Sequence, residues 1–304
     1  MNLVLVLLQM GLLIGCGALW RRVRPGGLDA DSLRQALTAL VYHLLLPAMV
    51  LSVLGRTPLG MESLRIALFG VGSVLFGLIL TPLLCHSGRL SPARRGAALL
   101  AVAFGNVTFL GLPLLAQTFG DWTQAIVLQL DFFAFSPLLY TLGTLAARRY
   151  GHEATGSGRT ERINPPLLSA LMAVLLNSLG LSLPDWLQHS LELLAQAVVP
   201  LMLLSLGLGL RWQFDGDHYW RTAVAVLAGR LLIVPMGSVG LGLALGFSGD
   251  TLTALILESA MPCMAMGIVF CDRYRLDTAF YAMVTTLSTA LALLTLPLWH
   301  YLSP

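Results

Sequence analysis

Phe104-Gly105-Asn106-Val107-Thr108-Phe109-Leu110-Gly111-Leu112-Pro113 lies inside an apolar run, residues 93–118, that is long enough to cross a bilayer. Two glycines, an asparagine, a threonine and a proline fall within those ten residues. Proline removes a backbone donor and clashes with the preceding turn, and glycine permits the unwound conformations that follow. The stretch therefore predicts a helix that breaks part-way across. Glu258-Ser259-Ala260-Met261-Pro262-Cys263-Met264-Ala265-Met266-Gly267 predicts a second break, inside the run 250–271. Unpaired backbone at membrane depth is tolerated only where it faces protein or a wet cavity. Two interrupted helices in corresponding halves of a chain point to a site near the midplane.

The rest of the chain supports a membrane reading. Of 304 residues, 57% are hydrophobic and 11% charged, against about 25% charged in soluble domains. So few charges could not solvate a soluble surface, and the apolar content excludes disorder. All 18 basic residues are arginine, which removes lysine Schiff-base and P-loop chemistry. Cys16, Cys85, Cys263 and Cys271 fall in apolar runs without metal-ligand spacing and are expected as small buried hydrophobes. No nucleophile–base pair, metal set or nucleic-acid module is visible, so neither an enzyme nor a cofactor is expected.

The apolar runs give ten candidate spans: 2–20, 32–54, 62–86, 93–118, 122–147, 165–182, 186–210, 219–247, 250–271 and 277–302. The first lacks the basic n-region and cleavage site of a signal peptide, so it is expected as a retained helix. With both termini on the non-cytoplasmic side, fifteen arginines fall on cytoplasmic loops and helix ends, and only Arg56 and Arg65 outside. That is the positive-inside pattern of a multi-pass inner-membrane protein.

Pro47-Ala48-Met49-Val50-Leu51-Ser52 reads against Pro200-Leu201-Met202-Leu203-Leu204-Ser205, and Pro82 against Pro235, at one offset; Pro137-Leu138 also reads against Pro297-Leu298. Five spans per half is an odd number, so the second half enters the membrane from the opposite face: an inverted repeat. The halves are 1–149 and 164–304, joined by a polar cytoplasmic linker at 150–163. Gly11-x-x-x-Gly15 and Gly242-x-x-x-Gly246 read as close-packing faces. His43, one turn before Pro47, reads as a polar residue bonded to a freed carbonyl.

Gly105, Asn106, Thr108, Gly111 and Pro113 in the first break, and Met261, Pro262 and Met266 in the second, are the candidate substrate-binding residues. Helix N-termini at such breaks favour anions, and Asn106 and Thr108 add side-chain donors. Asp131, Glu192, Arg230 and Glu258 are charges inside spans, each costing roughly 2.5–3.5 kcal/mol at mid-bilayer unless partnered. Glu192 is near enough to the surface to snorkel. Asp131, Arg230 and Glu258 lie near the midplane. They read either as groups that bind a substrate carboxylate or carry a coupling ion, or as a static Arg230–carboxylate pair.

At these residues the sequence resembles the auxin efflux carrier family of membrane transporters, in its bacterial branch. The resemblance rests on Asn106 followed by Phe109-Leu110-Gly111-Leu112-Pro113, on Met261-Pro262 and Arg273-Tyr274, on Leu296-Pro297-Leu298-Trp299, and on Ser205-Leu206-Gly207-Leu208. It implies an all-α membrane protein of ten helices in two inverted five-helix repeats, with helices 4 and 9 broken and crossing. It further implies a scaffold domain (helices 1, 2, 6 and 7) and an elevator-like transport domain (helices 3–5 and 8–10). The cargo implied is a small organic anion, auxin-like or malate- or malonate-like, moved by alternating access. Proton or sodium coupling and a homodimer are left open. Many members carry a polar residue where Met266 stands, which points to a more apolar ligand or one held mainly by the first break. A sodium-coupled symporter of the bile-acid type and a non-transporting membrane sensor are the alternatives.

Overall fold

The computed structural model describes residues 3–85, 90–152, 164–210 and 220–303, and these are almost entirely helical. In chain order the helices are α1 (Leu3–Val23), α2 (Ala30–Leu54), α3 (Met61–Leu84), α4 (Pro92–Ala103), α5 (Val107–Phe119), α6 (Trp122–Tyr150), α7 (Pro165–Ser178), α8 (Asp185–Gly209), α9 (Trp220–Ala244), α10 (Gly249–Ser259), α11 (Gly267–Arg273) and α12 (Thr278–Leu302). Seven of them, α1, α2, α3, α6, α8, α9 and α12, are long and apolar enough to cross a membrane. The expected span 165–182 is a shorter helix, because Gly180 at φ 66° ends it. Most of the expected linker at 150–163 lies outside the described residues.

Helix starts are set by side-chain caps. Asp29, Ser91, Asn164 and Asp277 accept hydrogen bonds from the backbone N–H of Ser32, Arg94, Leu167 and Phe280, each covering a donor the helix cannot satisfy. Pro92 and Pro165 occupy the first helical position, where a missing N–H costs nothing. The Asp29 carboxyl lies below the usual range, first because it accepts the Ser32 N–H and next the Ser32 hydroxyl.

Prolines inside the long helices do more than kink them. The segments Val41–Leu45, Val107–Gly111, Asp131–Phe135 and Gly229–Ile233 are widened π-turns, and each ends two residues before a proline: Pro47, Pro113, Pro137 and Pro235. A proline ring collides with the carbonyl four residues earlier, and that carbonyl falls inside the widened turn in all four cases. His43, Thr108, Asp131 and Arg230 sit in these turns.

The chain folds as two compact units. The first comprises Met1–Ile66, Thr108–Phe132 and Glu161–Leu210. In it α1 packs on α8 with backbones almost touching: a Cβ on Gly17 would stand 2.3 Å from the Leu204 carbonyl, and one on Gly207 2.0 Å from that of Ile14. This corrects the expected Gly11/Gly15 face, since both of those glycines face open space. Thr38 and Ser205 pair through their hydroxyls at 2.9 Å, and Arg21 binds both Asp31 and the Leu208 carbonyl. Glu192 pairs with Arg56 at 2.8 Å, and Cys16 is exposed, not buried as expected.

The second unit comprises Ala67–Val107, Phe133–Thr160 and Arg211–Pro304. Here α9 packs on α10, and α12 lies against α4, α9 and α10. Trp299 donates to the Leu231 carbonyl at 2.8 Å, and Arg94 pairs with Asp277 at 2.9 Å. Gly242 is closely packed, with Leu252 and Phe69 beside it, while Gly246 at φ 79° ends α9.

Candidate functional site

Both predicted breaks are present, and they meet. Helix α4 ends at Ala103 and α5 starts at Val107, with Phe104 extended (φ −111°, ψ 114°). Helix α10 ends at Ser259 and α11 starts at Gly267. Between them Gly105 faces Cys263 in a single antiparallel bridge. The Asn106 N–H donates to the Pro262 carbonyl at 2.8 Å, and the Met264 N–H to the Phe104 carbonyl at 3.1 Å. Each break thus satisfies part of the backbone the other has freed, as burial demands.

Helix α12 secures the second break. Ser288 Oγ accepts from the Cys263 N–H at 3.1 Å, and Tyr281 Oη donates to the Met264 carbonyl at 2.8 Å. Sequence reasoning missed both residues. The polar run Thr285-Thr286-Leu287-Ser288-Thr289 in an otherwise apolar helix was the available signal.

Arg230 lies under the crossing with 0% exposure. Its Nε donates to the Met261 carbonyl at 2.7 Å, Nη1 to Val102 at 3.2 Å and Nη2 to Ser259 at 2.8 Å. Val102 and Ser259 belong to the last turns of α4 and α10, and Met261 lies two residues beyond Ser259. These are the negative ends of two helix dipoles, where a cation is favoured. Gly105 is required at this approach: a Cβ there would stand 2.2 Å from Nη2. Glu258, also 0% exposed, is an electrostatic neighbour of the guanidinium, as are Cys263 and Tyr281.

Asn106 is 2% exposed, and its Nδ2 has no hydrogen-bond partner among the described residues. A buried donor left unsatisfied costs about 1–3 kcal/mol. Met261 and Pro262 are buried beside it in the chain crossing, and Met266 is half-buried. The remaining candidates belong to the first unit. There Thr108, 5% exposed, donates its hydroxyl hydrogen to the Asp131 carboxylate, while Gly111 and Pro113 are buried. Gly105, Asn106, Arg230, Glu258, Met261, Pro262 and Met266 fall in the second unit, and Thr108, Gly111, Pro113 and Asp131 in the first.

The membrane transport protein family matches residues 6–155 and 154–300, almost the whole chain. The chain belongs to this family, the auxin efflux carriers. The carrier is 30% identical over 288 residues to an uncharacterized transporter of Methanothermobacter thermautotrophicus, covering 89% of this chain and 88% of that one. It is 28% identical to the uncharacterized transporter MJ1031 of Methanocaldococcus jannaschii, over 71% of each chain. With the uncharacterized transporter YfdV of Escherichia coli K12 it shares 23% identity over 68% of each. The carrier is thus a multi-pass membrane protein of a transporter family.

Proposed function

We propose that this carrier moves small organic anions, auxin-like or malate- or malonate-like carboxylates, across the membrane by alternating access. The observation that carries the reading is the Asn106 amide: a buried donor without a partner, beside two helix breaks that hold each other. A carboxylate oxygen would complete it, and the cost of keeping the donor dry would be recovered on binding. In this reading Gly105, Met261, Pro262 and Met266 shape the binding region within the second unit, and Thr108, Gly111 and Pro113 are candidate substrate contacts in the first. Asp131 and Glu258 are the candidates for coupling a proton. The mainly apolar surroundings favour a cargo with a single carboxylate on a hydrophobic body.

The same reading takes the ten spans as two inverted repeats, 1–149 and 164–304. It takes helices 1, 2, 6 and 7 as the scaffold and the rest as an elevator-like moving domain. The arginine distribution supports both termini outside a bacterial inner membrane.

The test is exchange of labelled malate, malonate and an aromatic acetate in proteoliposomes holding the full chain. Saturable exchange of at least one, lost in Asn106→Ala, is the expected result. No exchange of any, or an Asn106→Ala protein indistinguishable from wild type, overturns the proposal. Binding without exchange would identify a sensor.

A further inference from the structure

The carbonyls of Val102, Ser259 and Met261 converge on one point, and a side chain from a third helix occupies it. Two are the ends of helices whose ladders stop there, so their oxygens have lost the N–H groups that would have continued each helix. Oxygen atoms gathered in this way, with a buried carboxylate nearby, form the kind of cage that holds a small cation. The guanidinium of Arg230 fills it with three donors at 2.7, 3.2 and 2.8 Å. It arrives from the π-turn Gly229–Ile233 of α9, and Gly105 leaves the room it needs.

We propose that Arg230 is a tethered cation that closes an oxygen cage beneath the crossing, and that the cage accepts a free guanidinium ion once the side chain is cut away. Arg230 is on this view a positioning residue. By neutralising the negative helix ends it fixes the two breaks against each other and sets the place of Asn106. The crossing then needs no dissociable cation to stay closed.

The full-length protein in detergent, with no carboxylate ligand present, provides the test, so its outcome is independent of whether the transport reading stands. Thermal unfolding is followed in choline chloride, with and without millimolar guanidinium, far below denaturing concentrations. Arg230→Ala is expected to lower the midpoint by about 10 °C, and guanidinium to recover about 4 °C of it. Wild type is expected not to respond, and tetramethylammonium, which has the charge without the N–H donors, to recover nothing. Absence of recovery by guanidinium, an equal gain in wild type, or recovery by tetramethylammonium overturns the proposal. Should Arg230→Ala not fold, the comparison of Arg230→Met with Arg230→Met/Glu258→Gln decides. Removing the Glu258 charge together with its cation is expected to raise the midpoint above that of Arg230→Met. A double variant no better than the single one overturns the assignment.

Discussion

Gly105→Ala is the smallest change that strains the crossing. The added Cβ would stand 2.2 Å from Arg230 Nη2, 2.9 Å from Cζ and 3.4 Å from Nε. Ordinary contact needs about 3.5–4.0 Å, so Nη2 must retreat by more than about 1 Å. That opens its 2.8 Å bond to the Ser259 carbonyl beyond hydrogen-bonding range. A hydrogen bond to a charged group is worth about 1.5–3 kcal/mol. Removing the freedom of a glycine from the unfolded chain returns about 0.4–1 kcal/mol. The balance is a loss of about 1–2 kcal/mol, or about 2–3 °C in the unfolding midpoint. Scanning calorimetry or intrinsic fluorescence of the detergent-purified protein at one scan rate measures it. The same substitution in an Arg230→Met background has no guanidinium to displace and is expected to be neutral or slightly stabilising. An equal loss in both backgrounds would refute the argument, because the damage would then come from the backbone and not from Arg230.

Three other outcomes follow from the packing. Thr108→Val removes the hydroxyl that serves the Asp131 carboxylate and is expected to cost about 1–3 kcal/mol, with Thr108→Ser retaining most of it; chemical denaturation of the pair checks this. Gly207→Ala drives a Cβ to 2.0 Å from the Ile14 carbonyl and is expected to cost at least about 1–3 kcal/mol, whereas Gly11→Ala, inside α1 with open space around it, is expected to raise the midpoint slightly. Asp277→Ala removes both the cap on Phe280 and the largely buried pair with Arg94. It is expected to lose about 1–3 kcal/mol and to raise protease sensitivity near the start of α12.

The interrupted helices were readable because glycine and proline within ten mostly apolar residues, joined in the first by asparagine, leave a helix few ways to continue. Asn106 was readable for the same reason. Arg230 was readable as a costly charge but not as a backbone ligand. Its acceptors are carbonyls at Val102, Ser259 and Met261, and every residue type has a carbonyl, so no side-chain pattern marks them. The close-packing face of α1 was misplaced at Gly11 and Gly15 on similar grounds. A glycine pair four residues apart is visible in one helix, whereas Gly17 and Gly207 become partners only when two distant helices are docked. Ser288 and Tyr281 escaped because polar residues in an apolar helix usually bond their own preceding turn, as Thr289 does to Thr285. The family match supplies what single residues cannot, because order and spacing along the whole chain are more specific than any one motif.

The widened turns before Pro47, Pro137 and Pro235 have a rotational effect. A π-turn holds one residue more than an α-turn, and one residue advances the helix by about 100°. Helices α2 and α9 are therefore each two stacked segments out of phase, and α6, which has a further widened turn at Leu139–Gly143, is three; the stripe facing protein in one segment turns toward another neighbour in the next. A single helical wheel drawn over such a span averages these orientations and conceals them. It also means that deleting one residue within Gly229–Ile233 would swing everything on one side of Pro235 by a quarter turn or more, a displacement of a whole half-helix that no single substitution there produces.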